Sequence, residues 1–85
     1  MKSWFVYIAK ARSGRYYTGI TTDPIKRIDA HNKAGGARFA RQQGPFALVY
    51  ISDSFKGKSP ARTREAQIKK WLRVKKEKLI NGEWT

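Results

Sequence analysis

The chain contains no cysteine, and that absence sets the terms on which it can fold. Without a disulfide or a thiolate ligand, a zinc finger or ribbon is excluded and nothing covalent restrains the unfolded chain. With 85 residues there is room for one domain and one modest core, near the low end of what burial alone can hold. The apolar content is sufficient, because 40% of residues are hydrophobic and include 3 Trp, 4 Tyr and 4 Phe, unlike a disordered basic tail. We therefore expect a single domain over residues 1–85 with its core at about 3–81.

Local patterns predict where the elements fall. Residues 4–9 (Trp-Phe-Val-Tyr-Ile-Ala) are aromatic and β-branched and favour a strand. The polar, Gly-containing stretch Lys10 to Gly14 suits a turn, and Arg15 to Ile20 forms a second strand, giving an antiparallel hairpin. Asp23 is placed to cap a helix, with Pro24 at its first position. That helix is expected to run to about Ala34, with Ile25 and Ile28 as its apolar face, and to stop at Gly35-Gly36. Residues 37–41 suggest a basic helical turn, broken by Gly44-Pro45. Phe46 to Ile51 reads as a third strand, apolar on both faces and so central or covered on both sides. Ser59-Pro60 starts another helix, carrying Ala61, Ile68 and Leu72, and a last helix spans about Val74 to Ile80, ending at Asn81-Gly82. The order β-β-α-β-α-α predicts an α/β (α+β) fold, a small three-stranded antiparallel sheet flanked by helices.

Charge points to the partner. Against 6 Asp and Glu stand 19 Lys and Arg, a net charge of +13, which attracts polyanions and makes nucleic acid the first partner to consider. No apolar run approaches the roughly 20 residues needed to cross a bilayer, and no helix pairs a Lys/Arg face with a broad Leu/Trp face. We expect no membrane association and a cytoplasmic location.

Three groups of residues could carry chemistry. Glu65 lies four residues after Ala61 and three before Ile68, on the same helical stripe. A carboxylate there needs a cation, a metal or hydrogen-bond donors, or else sits at the stripe's edge and pairs with Arg62 or Arg64. Arg27 and His31 are four apart on the first helix, on a face separate from Ile25 and Ile28. A guanidinium grips phosphate oxygens and an imidazole moves protons near neutral pH, although a solvated basic helix looks the same in sequence. Tyr7 and Tyr17 sit on the two hairpin strands, and a turn centred near Arg12 would set them roughly opposite each other on one face, where they could position water but read on residues alone first as ordinary core aromatics. Gly19 would allow a ligand or another backbone to come close.

Taken together, Phe5-Val6-Tyr7, Tyr17-Thr18-Gly19, Arg27, His31 and Glu65 resemble the GIY-YIG nuclease domain in order and spacing over residues 4 to about 72. Residues 17–23, Lys26-Arg27, His31-Asn32, Gly36-Ala37-Arg38, Leu48-Val49-Tyr50 and Arg64-Glu65-Ala66 resemble its short standalone bacterial YhbQ-like branch. The resemblance implies an endonuclease that hydrolyses DNA phosphodiester bonds with one divalent ion, Mg²⁺ or Mn²⁺. It implies catalytic roles for Tyr7, Tyr17, Arg27, His31 and Glu65, with Glu65 as the metal ligand. Gly19, Lys26, Arg38 and Arg41 are the expected nucleic-acid contacts. Such a nuclease would be structure-specific or serve DNA repair and recombination. Relatives usually carry a separate targeting domain, so specificity is expected from the substrate's structure, a homodimer or a partner protein. The sequence departs from the family at Phe5-Val6, which stands for Gly-Ile, and at Arg73, where relatives often have a Ser helix cap. It departs also at Phe39, which stands where relatives carry Tyr, His or Lys and cannot move a proton. Phe39 favours the alternative reading, a non-catalytic basic nucleic-acid-binding module.

Overall fold

A computed structural model describes residues 2–33 and 45–83. Their elements are β1 (Phe5–Lys10), β2 (Tyr16–Thr21), α1 (Pro24–Lys33), β3 (Ala47–Ile51), α2 (Lys58–Lys69) and α3 (Arg73–Ile80), in the expected order. The predicted helix stop at Gly35-Gly36, the helical turn at 37–41 and the break at Gly44 lie outside the described residues.

The sheet is antiparallel with strand order β2-β1-β3, so β1 is central and the third strand is an edge. Of the two readings offered for its apolar sequence, cover on both faces is the one the structure bears out: α1 packs on one face of β3 and α3 on the other. The sheet thereby separates two cores. Val6 and Ile8 meet Ala61, Ile68 and Leu79 on the α2/α3 face. Ala9 and Ala11 meet Ile28 and Phe46 on the α1 face. This follows from the two-residue period of β1, whose successive side chains point to opposite faces. A bulge between Ile8 and Ala9 leaves Val49 without a partner, so Val49 and Tyr50 both join the α2/α3 core.

The hairpin register differs from expectation. Gly14 takes φ +93, and its N–H bonds the Ala11 carbonyl at 2.9 Å while Ala11 N–H bonds Arg15 O at 2.8 Å. This three-residue loop, with a left-handed Gly closing it, centres the turn on Ser13 instead of Arg12. Tyr7 therefore pairs with Gly19 and Tyr17 with Ala9, and the two tyrosines are diagonal neighbours on one face.

Helix α1 begins as its sequence predicts. Asp23 Oδ1 accepts from Lys26 N–H at 3.1 Å, and Pro24 occupies the first position. Its buried positions are Pro24 and Ile28, four apart, whereas Ile25 is 71% exposed and does not belong to the packed face. Helix α2 starts earlier than Ser59-Pro60, with Gly57 as N-cap and no side-chain cap. Pro60 is accommodated because first-turn N–H groups have no helical partner anyway. The helix also ends at Lys69, so Leu72 is not on its stripe; Leu72 is the extended N-cap of α3 and faces solvent. Arg73 fastens α3 to the hairpin. It donates to Gly14 O at 2.9 Å, lies 4.4 Å over the Tyr16 ring and pairs with Glu77 at 3.6 Å.

Candidate active site

Tyr7 and Gly19 face each other across the β1–β2 pair, and the phenol ring lies against the glycine. A Cβ at Gly19 would stand 2.6 Å from Tyr7 Oη and 2.8 Å from Cζ, so only glycine leaves room for this ring position. The close approach at Gly19 is made by the Tyr7 side chain, and Gly19 itself also lines the cleft. Tyr7 lines a cleft of about 460 Å³ with Trp4, Thr18, Gly19, Ile20, Arg27, Lys58, Arg62 and Glu65. Consecutive residues 18–20 of the edge strand all line it, so the cleft passes over the β2 edge and draws on both helical layers: Arg27 from α1, and Lys58, Arg62 and Glu65 from α2.

The electrostatics are lopsided. Glu65 is the one carboxylate among the cleft's described lining residues, against three cations. Its side chain is 17% exposed and pairs with Lys69 at 3.4 Å. Lys69, one helical turn on, takes the place that sequence gave to Arg62 or Arg64. Arg64 instead donates to Gln67 and lies 5.0 Å over the Trp71 ring. The Thr18 hydroxyl is buried in the cleft wall with no hydrogen-bond partner.

His31 and Tyr17 sit in an adjoining cavity of about 190 Å³, lined also by Tyr7, Ala9, Ile28 and Phe46. Tyr7 is the wall common to both spaces. Phe46 organises the second one: Tyr17 meets it edge-on at 5.4 Å between centroids and His31 at 5.2 Å. Phe46 is in turn held by Asn32, whose Oδ1 accepts from Phe46 N–H at 2.8 Å and whose Nδ2 donates to Phe46 O at 3.0 Å. The Asn32 amide serves Phe46 as a neighbouring strand would, and pins the last turn of α1 to the start of β3.

The structure therefore brings Tyr7, Gly19, Arg27 and Glu65 together and sets Tyr17 and His31 next door. Lys26 does not line the cleft but a neighbouring depression with Thr21, Thr22 and Asp23, which Arg27 shares with the cleft. Arg38, Phe39 and Arg41 fall outside the described residues. Sequence reasoning missed Trp4, Lys58 and Arg62 as cleft residues, although Lys58, Arg62 and Glu65 follow an i, i+4, i+7 pattern that could have revealed the last two. It also missed the Asn32–Phe46 clamp. On β3, burial pushes the Tyr50 hydroxyl up from its ordinary value; Arg64 opposes this and Asp53 adds to it, so Tyr50 is a neutral packing residue.

Among the described residues no three His, Asp or Glu side chains are grouped as a metal cage. The donor chemistry does suit a hard, mostly hydrated cation such as Mg²⁺, which keeps several waters and binds through one or two carboxylates plus substrate phosphate. Glu65 would be the protein ligand.

Residues 3–78, which include every described residue lining this cleft, match the GIY-YIG catalytic domain. The chain belongs to the GIY-YIG family of nuclease domains, and within it stands with the UPF0213 (YhbQ-like) proteins. It is 43% identical to a UPF0213 protein of Clostridium perfringens over 93% of this chain and 84% of that one. It is 41% identical to a UPF0213 protein of Staphylococcus aureus over 94% and 96% of the two chains. The solution NMR structure of the UPF0213 protein from Bacillus halodurans superposes with a TM-score of 0.58 at 39% identity, covering 93% of this chain and 83% of that one. That of a protein from E. faecalis superposes at 0.64 with 30% identity, covering 96% and 86%. Among the described residues no helix is long and apolar enough to cross a membrane.

Proposed function

We propose that the protein is a metal-dependent endonuclease that hydrolyses DNA phosphodiester bonds in the cleft over the β2 edge. The observation that carries this reading is Glu65, a largely buried carboxylate in a cleft whose other charged walls, Arg27, Lys58 and Arg62, are all cationic. The cations would draw in the phosphate backbone, and the carboxylate would hold the positive ion that a phosphodiester needs beside it. A divalent ion bound there supplies charge neutralisation at the phosphate and a more acidic water.

The chain's own groups then have distinct tasks. Arg27 neutralises charge that builds on the phosphate in the transition state. Tyr7, held over Gly19, orients the attacking water; as the water's oxygen bonds to phosphorus, the P–O bond to one deoxyribose oxygen breaks, that oxygen takes a proton from solvent and the water gives up its own. His31, which shares a cavity with Tyr7 and Tyr17, relays the proton lost by the attacking water to solvent. Lys58 and Arg62 hold the backbone without reading bases, which leaves sequence preference low and salt dependence high.

A second reading is a binding module without turnover. Two observations favour it: Phe39 stands at a family position that usually holds a proton-active residue, and the Lys69 ammonium already partners Glu65 at 3.4 Å. A nicking assay in Mg²⁺ and in Mn²⁺ separates the two. Wild type should nick DNA, and Glu65→Ala should lose metal-dependent nicking while binding DNA about as well. Equal nicking by Glu65→Ala would remove the metal role, and binding without nicking by wild type would establish the module.

A further inference from the structure

Among the described residues, the most exposed large apolar side chain stands at the elbow between α2 and α3. Leu72 is 82% exposed and Val74 65%, in the sequence Lys69-Lys70-Trp71-Leu72-Arg73-Val74-Lys75-Lys76. Leu72 is the N-cap of α3, with extended backbone at φ -65 and ψ 156. Lys69, Lys70 and Arg73 around it are exposed. The adjacent Trp71 is half-buried, packs on the α2/α3 core and carries the Lys75 ammonium 4.3 Å from its ring. The elbow is therefore an exposed apolar tip in a cationic collar, in which Arg73 is also held by Gly14, Tyr16 and Glu77. It joins the cleft through Lys69, which pairs with Glu65 one turn earlier on α2.

A partner for such a tip must be anionic and must also offer an apolar surface. A second copy of the chain offers exposed apolar side chains but no anionic surface at the collar, where like charge repels it. An anionic membrane meets both, but two exposed apolar side chains are far less than the broad face that interfacial helices bury. Nucleic acid fits best, offering phosphates to the collar and a base face to the tip wherever stacking is interrupted. Apolar side chains, leucine among them, are inserted between base steps by proteins that kink DNA.

We propose that the α2–α3 elbow is a second nucleic-acid contact, in which Leu72 abuts an unstacked base at a nick, fork or branch while the surrounding cations grip the flanking phosphates. The proposal rests on the nucleic-acid reading of the cleft and adds a basis for preferring interrupted duplexes without any base-specific contact.

Leu72→Ser provides the test, since serine at an N-cap supports the helix and the removed side chain is solvent-exposed. Fluorescence anisotropy would compare wild type and Leu72→Ser on an intact duplex and on a splayed fork of equal length carrying 2-aminopurine at the branch. Anionic phosphatidylglycerol vesicles form a third arm. The expected result is preference of wild type for the fork, with a rise in 2-aminopurine emission. Leu72→Ser should lose about tenfold on the fork and the emission change, while duplex affinity and its salt slope stay within twofold. Equal fork binding and emission by both proteins would overturn the proposal while leaving the cleft reading intact, as would a Leu72-dependent loss confined to the vesicles. Failure of wild type to bind either DNA would overturn both readings.

Discussion

The Tyr7 ring lies against the bare backbone of Gly19, at a separation where even a methyl group would come within 2.6 Å of the phenolic oxygen. Gly19→Ala should therefore push the ring out of the cleft while the strands remain paired. Because the ring tip can swing aside, the melting temperature should fall by only a few degrees. Turnover should drop about a hundredfold, as expected for a reacting group misplaced by about 1 Å. Side-by-side melting curves and single-turnover nicking would check this, and parallel losses in both would make Gly19 a purely structural residue.

Arg27 reaches the cleft from α1 with no carboxylate partner among the described residues, which suits it to a charge that appears only during reaction. Arg27→Ala should lower kcat by about 10²–10³ and change DNA affinity little. Arg27→Lys should recover only part of the loss, since an ammonium lacks the planar fork. A loss confined to affinity would move Arg27 from the transition state to ground-state binding.

The Asn32 amide holds both polar groups of the Phe46 backbone. Asn32→Ala leaves an N–H and a carbonyl at the start of β3 without these partners, a cost of about 1–2 kcal/mol. At this chain length that lowers the melting temperature by about 4–8 °C per kcal/mol. Released Phe46 should also free the His31 ring, so the imidazole NMR resonances should shift. Unchanged His31 resonances would separate the clamp from the site.

Lys69 competes with any cation for Glu65. Lys69→Met keeps the apolar stem and removes the ammonium. It should raise the apparent affinity for Mn²⁺, followed by electron paramagnetic resonance, about two- to fivefold, the range of a partly exposed ion pair. An unchanged affinity would mean that Lys69 leaves Glu65 without cost when metal arrives.

Much of the fold was legible because its signals are local. Aromatic and β-branched runs marked the strands to within one residue, and Asp23-Pro24 fixed the start of α1 through short-range capping chemistry. Glu65 was legible as a candidate because its spacing from Ala61 and Ile68 places it beside a buried stripe. What escaped depends on geometry that no short window contains. The left-handed Gly14 moved the turn centre by one position, which changed the partner of Tyr7 from Tyr17 to Gly19. The early end of α2 turned Leu72 from a core residue into an exposed elbow. The link between Asn32 and Phe46 crosses fourteen positions and leaves no periodic trace. Ile25 follows a helical apolar pattern, but ten residues of α1 touch the sheet along only one line of side chains.

The cleft straddles an edge strand, with one wall supplied by the layer under α1 and the other by the layer under α2 and α3. Neither hydrophobic cluster can loosen on its own without pulling the two walls of the cleft apart. Nicking activity would then behave as a thermometer for the entire molecule. Heat inactivation and loss of tertiary circular dichroism should fall on one curve, whichever layer gives way first.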